Sequence, residues 1–116
     1  MPTVPPPVPL EPEDGAPQGQ GDTFRLAWSS THTLGRDECY LVNLRYTHEG
    51  SVVNLQVCVQ QTSWWVDESL YGLADQATNR VYYWSVQVAR KSTNAEGTES
   101  YVPLGPASEE WRFYWR

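Results

Sequence analysis

The sequence lacks clusters of basic residues and long apolar runs, and each absence excludes a class of function. Of its 116 residues only eight are Lys or Arg, against 14 Asp or Glu, which gives a net charge of −6. Because a protein that binds a phosphate backbone needs clustered Lys and Arg, we expect no nucleic-acid partner. No apolar run approaches the ~20 residues that a membrane helix requires, so we expect no membrane insertion.

Residues that carry catalysis or bind metals are also scarce. His32 lies in a Ser/Thr-rich loop and His48 in a hairpin turn, and neither is near a sequence that resembles a nucleophile elbow. No CxxC or HxxxH spacing is present, so we predict no metal and no cofactor. Glu109 and Glu110 are adjacent on a predicted strand and point to opposite faces, which prevents them from acting as a facing carboxylate pair. We therefore expect that the protein is not an enzyme.

Aromatic residues are abundant instead, with six Trp and seven Tyr. Aromatic and β-branched side chains suit pleated, half-buried surfaces, so the composition favours strands over helices. Alternation of apolar with polar residues predicts strands that each place one apolar face in a core. The stretches with this pattern are residues 22–28, 40–46, 53–59, 81–90 and 111–115.

The best-supported element is a hairpin over residues 40–59. The segment "THEGS" predicts a turn with Glu49-Gly50 at its centre, which places residues 48 and 51 opposite each other. In this register Val42 pairs with Val57, and both apolar rows fall on the same face of the sheet. Alternation also places Trp64 inside and Trp65 outside. Residues 67–79 are predicted to be a loop with one helical turn, and residues 91–100, "KSTNAEGTES", a polar connection between strands.

The first 21 residues differ from the rest and contain seven of the nine prolines. Proline restricts φ and has no N–H, so residues 2–9 are predicted to form an extended polyproline II arm. "PLEPEDGAP" favours a short edge segment followed by a turn at Asp14-Gly15. The domain organisation predicted is therefore a proline-rich arm or linker over residues 1–21 and a β-sandwich over residues 22–116.

About seven short strands separated by turn signals indicate an all-β, antiparallel two-sheet sandwich. The chain resembles the fibronectin type III and immunoglobulin-like domains of bacterial secreted or cell-surface proteins over about residues 8–115. The resemblance rests on Leu26-Ala-Trp28, "YLVNLRY" (40–46), "VYYWSVQVAR" (81–90), "PLEP" before the first core strand and "GPASEEWRF" at the last. It implies that Tyr82 is the tyrosine-corner residue and that the protein is secreted or exposed on the cell surface.

Cys39 and Cys58 are the only cysteines. In the predicted hairpin Cys58 lies opposite Leu41 and Cys39 opposite Gln60, so the cysteines are diagonal neighbours on the outward face. Diagonal Cβ atoms are about 5–7 Å apart, whereas a disulfide requires about 3.5–4.5 Å. A disulfide would need a local twist or a bulge here, and two free thiols are the alternative. A bond would indicate an oxidising, extracellular setting.

Two features are candidates for binding. Trp65, Tyr71, Tyr83 and Tyr114 are predicted to lie outward or on loops, where aromatic faces stack on sugars or proline-rich peptides. The arm is the second candidate: Val4, Val8 and Leu10 could dock along an open sheet edge of a neighbouring copy, because edges accept added strands.

The sequence therefore predicts a non-catalytic extracellular module that acts as a spacer or as a subunit of a cell-surface assembly. Its expected partners are proteins, either neighbouring domains or copies of itself. The alternative is a carbohydrate- or peptidoglycan-binding accessory module that uses exposed Trp and Tyr. The fold does not identify the ligand.

Overall fold

The computed structural model describes residues 5–19, 21 and 23–115, and these residues form two packed β-sheets with two short 3₁₀ turns. The strands are β1 Val8–Glu11, β2 Ala16–Gln18, β3 Arg25–Ser29, β4 Glu38–His48, β5 Ser51–Val59, β6 Ser63–Trp65, β7 Val81–Thr93, β8 Glu99–Pro103 and β9 Trp111–Trp115. The predicted all-β, two-sheet architecture is confirmed. Asp22 and Arg116, which bound the predicted sandwich, lie outside the described residues.

The two sheets differ in width. The smaller sheet has the order β1-β3-β6, and the larger has the order β2-β9-β7-β4-β5 with β8 also paired to β7. Pairing is antiparallel except between β2 and β9, which are parallel. β8 and β9 pair with successive parts of β7. Between them, the Ser108 N–H donates to the Val86 carbonyl, and the Val86 N–H donates to the Ser108 hydroxyl. The last strand is therefore interrupted rather than continuous.

The predicted hairpin register is confirmed residue by residue. His48 pairs with Ser51, Val42 with Val57 and Leu44 with Leu55. The turn residues Glu49 and Gly50 have φ angles of 50° and 81°. Positive φ at both central positions belongs to the type I′ turn, whose twist matches that of the flanking strands.

Aromatic side chains from several strands fill the core, as alternation predicts. Tyr82 stacks on Phe113 with ring centroids 5.2 Å apart, and Trp28 lies 6.5 Å from Trp84. Trp115, on the closing strand, is buried as well. Trp64 packs against this core and Trp65 points outward, as predicted.

Three local predictions need correction. Residues 91–100 were expected to be a polar connection, but β7 continues to Thr93 and turns back into β8. Both faces are mostly exposed there, so no apolar alternation marks the pairing. The predicted polyproline II segment also ends early, because Val8–Glu11 pairs with β3 while Pro7 and Pro9 are buried. The loop over residues 67–79 contains two 3₁₀ turns, Glu68–Leu70 and Gln76–Thr78, rather than one.

In the part of the chain that the structure describes, no helix has the length and apolar character needed to cross a membrane.

Candidate functional site

The outer edge of β5 is the longest strand edge that the described residues leave unpaired. β5 is the terminal strand of the larger sheet and pairs only with β4. It has nine residues, and residues 50–66 contain no Asp, Glu, Lys or Arg and no proline. Most proteins protect edge strands with charge, proline, bulges or short length, because an open edge is a template for another chain. β5 has none of these protections.

The other sheet edges of the described residues are protected. β1 contains Pro9 and is irregular where it pairs with β3. β2 and β6 have only three residues each, and β2 includes Pro17. β8 contains Pro103 and Glu99, whose carboxylate lies 3.1 Å from the Lys91 ammonium. The contrast with β5 is therefore a property of this one edge rather than of the whole sandwich.

The hairpin turn determines which backbone groups face outward from β5. A two-residue turn makes His48 and Ser51 a hydrogen-bonded pair, so alternate residues from Ser51 onward bond to β4. The residues between them direct their N–H and C=O groups away from β4. These outward residues are Val52, Asn54, Gln56 and Cys58.

The inner face of β5 is only half covered. The β4 residues Tyr40, Val42, Leu44 and Tyr46 are buried, whereas their partners Val59, Val57, Leu55 and Val53 are half-buried. A groove of about 360 Å³ lies where the chain passes from β5 to β6, lined by Val59, Gln61, Ser63, Trp64 and Trp65. The edge therefore combines open main-chain groups with apolar surface that an added strand would cover.

The structure joins Cys39 and Cys58 in a disulfide, with a Cα–Cα distance of 5.6 Å. Cys58 lies opposite Leu41, as the predicted register has it, and the bond forms without a bulge in the β4–β5 pairing. Cys39 is on the face predicted to be outward, yet it is buried, as is Ala89 opposite it. The bond ties the edge strand β5 to its neighbour β4.

The four predicted binding aromatics do not form one surface. Trp65, on the smaller sheet, is 58% exposed, and the Arg25 guanidinium lies 5.9 Å from its ring. Tyr83 and Tyr114 are diagonal neighbours on the outer face of the larger sheet, and both are half-buried. Tyr71 is in the loop after β6, where its ring packs 5.4 Å from that of Trp115.

The Tyr83 ring is covered by a cation. The Arg45 guanidinium lies 4.2 Å from the ring centroid and donates a hydrogen bond of 2.9 Å to Glu110. Stacking of a ligand on this face of Tyr83 would have to displace the guanidinium, and Trp65 is therefore the most accessible of the four aromatics.

The part of the arm over Val8–Glu11 forms an edge of the smaller sheet of its own chain. Val8 and Leu10 are 56% and 57% exposed, while β1 pairs with β3 and the Arg25 guanidinium donates to the Glu11 carboxylate over 3.2 Å. Val4 lies outside the described residues. Val8 and Leu10, two of the three residues predicted to dock on a neighbouring copy, are thus held on the smaller sheet of the same chain.

The two histidines have local partners. His32 Nε2 donates to Glu38 Oε1 over 2.7 Å, and the Gly35 N–H donates to the same oxygen over 2.9 Å. The Gly35 hydrogen bond, followed by that from His32, lowers the pKa of the Glu38 carboxyl. His48 Nδ1 donates to the Leu73 carbonyl over 2.7 Å. Across residues 5–19, 21 and 23–115, no group of three His, Cys, Asp or Glu residues is placed to hold a metal ion.

Sequence reasoning missed the contacts that brace the tip of the hairpin. The Asp75 carboxylate accepts hydrogen bonds from the Glu49 and Gly50 N–H groups, both over 2.8 Å, and these bonds lower its pKa. The Asp75 N–H in turn donates to the Thr47 carbonyl. No local pattern predicts these contacts, because they join residues about 25 positions apart. The open edge of β5, in contrast, is marked in the sequence by the absence of charged residues over residues 50–66.

No protein-family model, no curated protein and no solved structure matches this chain.

Proposed function

We propose that this chain is a non-catalytic extracellular module that joins to other proteins by main-chain pairing along the outer edge of β5. The observation that carries the proposal is a nine-residue edge strand without charge or proline, in a sandwich whose other described edges are protected. An extended segment that adds to such an edge gains main-chain hydrogen bonds, and its side chains find pockets on alternate sides. The module would then serve as a structural subunit of a larger assembly.

The disulfide supports an extracellular location. Disulfides persist in oxidising compartments and are rare in the cytosol. The bond between Cys39 and Cys58 joins the terminal strand β5 to its neighbour β4, so it holds in place the edge on which the proposal depends. A secreted or cell-surface protein is the setting that suits this arrangement.

The fold we propose is fibronectin type III-like or immunoglobulin-like. Immunoglobulin-type sandwiches place strands A, B and E in one sheet and C, F and G in the other. β1, β3 and β6 take the first three positions, β4 and β7 take C and F, and β8 with β9 takes G. The Tyr82 hydroxyl donates to the Leu70 carbonyl, a backbone contact of the kind found in a tyrosine corner. β5 is then an additional strand beside C.

Amide hydrogen exchange with a probe peptide tests the proposed function. The probe is a nine-residue peptide of alternating Thr and Val with a Lys at each end, and its control has a central Pro. Binding at the edge should slow exchange at Val52, Asn54 and Gln56 with the probe and not with the control, because proline cannot continue a ladder. Unchanged exchange at these amides, with folded protein and excess probe, would contradict edge docking.

A carbohydrate- or peptidoglycan-binding role is the second candidate, and one observation favours it. Trp65 is exposed beside the groove of about 360 Å³, where a sugar ring could stack on the indole. Titration with a panel of glycans, followed by tryptophan fluorescence, should give a shift that Trp65→Ala abolishes and Tyr71→Ala does not. A flat titration across the panel would contradict this role.

A further inference from the structure

We propose that the partner at the β5 edge is a second copy of this chain, paired antiparallel about a two-fold axis at Leu55. This inference rests on the proposed function, since it names the occupant of the same edge. A two-fold axis makes the contact isologous, so each copy presents the same strand to the other. The result is a continuous sheet that runs through both molecules.

The sequence of β5 is complementary to itself in this register. With Leu55 on the axis, Ser51 faces Val59 of the second copy and all nine residues of the strand are paired. The apolar residues of the inner face meet each other, as Val53 meets Val57. On the outer face, Asn54 meets Gln56, so amide side chains pair with amides. No apolar residue of the inner face is opposed to a charge.

The main-chain groups are in phase for this pairing. The outward residues are Val52, Asn54, Gln56 and Cys58, which occupy alternate positions. Reversal of the strand about Leu55 places Val52 opposite Cys58 and Asn54 opposite Gln56, so outward groups always face outward groups. Each such pair exchanges two hydrogen bonds in an antiparallel ladder, which gives about eight across the interface.

The charge distribution selects this edge for self-association. The chain carries a net charge of −6, so two copies repel each other over most approaches. Residues 50–66 carry no charge, and this run contains the whole of β5. Two copies can therefore approach at β5 without placing like charges opposite each other.

The size of the contact predicts a weak dimer. One strand pair buries less surface than the roughly 1,000 Å² at which stable interfaces begin. The half-buried row over Val53, Leu55, Val57 and Val59 adds apolar burial when the second copy covers it. We expect dimers that form as the concentration rises, or when neighbouring copies are held together in an assembly.

Analytical ultracentrifugation across a wide concentration range tests the inference when it is applied to variants that carry Lys or Glu on β5. Asn54→Lys with Gln56→Lys places like charges opposite each other at both polar pairs, and so does Asn54→Glu with Gln56→Glu. Each double variant should be monomeric at concentrations where the unmodified chain is dimeric, and an equal mixture of the two should dimerise again. The control, Thr98→Lys with Ser100→Lys, adds the same charge at exposed positions away from the edge and should dimerise like the unmodified chain.

A measurement on the unmodified chain covers the case in which a variant does not fold. Amide exchange at Val52, Asn54 and Gln56 should slow as its concentration rises, while exchange at exposed β8 amides should not change. Monomers at all concentrations, or dimers that persist in both double variants, would overturn the two-copy proposal. If the Thr/Val probe still protects β5 in a monomeric chain, the proposed function stands and the second copy is excluded.

Discussion

Replacement of Tyr82 with phenylalanine removes one buried hydroxyl and leaves the ring in place. The hydroxyl donates to the Leu70 carbonyl and accepts a 3.1 Å hydrogen bond from the Ala74 N–H. Leu70 keeps a second, longer contact, because the Leu73 N–H lies 3.4 Å from its carbonyl oxygen. The fully buried Ala74 N–H is the group that loses its partner in the variant.

The expected loss follows from this difference. A hydrogen bond contributes about 0.5–1.5 kcal/mol net, and an unsatisfied buried group costs about 1–3 kcal/mol. Since one group is orphaned and the other is partly compensated, Tyr82→Phe should lower the free energy of unfolding by about 2 kcal/mol. Tyr83→Phe is the matched control: its ring lies on the outer face under Arg45, and its loss should stay within about 0.5 kcal/mol.

Denaturant unfolding followed by tryptophan fluorescence measures both changes, because the buried Trp28, Trp84 and Trp115 report on the core. The disulfide must be kept intact so that both variants unfold from the same covalent state. If Tyr82→Phe and Tyr83→Phe lose the same free energy, the hydroxyl does not anchor the loop over residues 67–79, and the reasoning is refuted.

The same hydroxyl predicts a pH dependence. Burial raises the pKa of Tyr82 above its ordinary value of 10.0. A raised folded-state pKa means that the stabilisation is fully present below pH 10 and is lost as the pH rises through the higher folded value. The difference in stability between the unmodified chain and Tyr82→Phe should therefore shrink in the alkaline range. A constant difference would contradict the burial of an ionisable hydroxyl.

The remaining predictions concern the core, the disulfide and the hairpin tip. Trp84→Ala should cost about 3–5 kcal/mol of unfolding free energy and the exposed Trp65→Ala less than about 1 kcal/mol, and equal costs in denaturant melts would show that the faces are assigned wrongly. Treatment with an alkylating reagent in the absence of reductant should leave the mass of the chain unchanged, and an increase in mass would exclude the disulfide. Replacement of both Cys39 and Cys58 with Ser should lower the free energy of unfolding by about 3 kcal/mol. The pKa of the Asp75 carboxyl is lowered from 3.8, so the stabilisation it gives is present above that pH and is lost as the pH falls through the folded-state value. The free energies of unfolding of Asp75→Asn and of the unmodified chain should therefore become equal in acid. A difference that stays constant with pH would contradict this.

The arm illustrates what local sequence cannot predict. Proline content suggested a spacer, and removal of the arm would then leave the sandwich unaffected. The structure instead buries Pro7 and Pro9 and pairs Val8–Glu11 with β3, so this part of the arm contributes to the smaller sheet. Whether a proline-rich segment docks depends on a partner strand about 20 residues away, and composition carries no information about that partner.

The hairpin shows the opposite case. Its register was predictable because a two-residue turn and a period of two act over neighbouring residues. Trp64 and Trp65 were assigned to the correct faces for the same reason. β8 was missed because both its faces are mostly exposed, so the pairing depends on backbone hydrogen bonds rather than on an apolar row.

The sequence by itself determined which residues face the core, because the pleat of a strand places alternate side chains on opposite sides whatever its neighbours are. It also determined the uncharged character of residues 50–66. Only the tertiary structure decided that β5 is the terminal strand of the larger sheet, that Val8–Glu11 pairs with β3, and that Asp75 in the loop over residues 67–79 binds the tip of the hairpin. An open edge is defined by the strand that is absent beside it, and that depends on how distant segments pair.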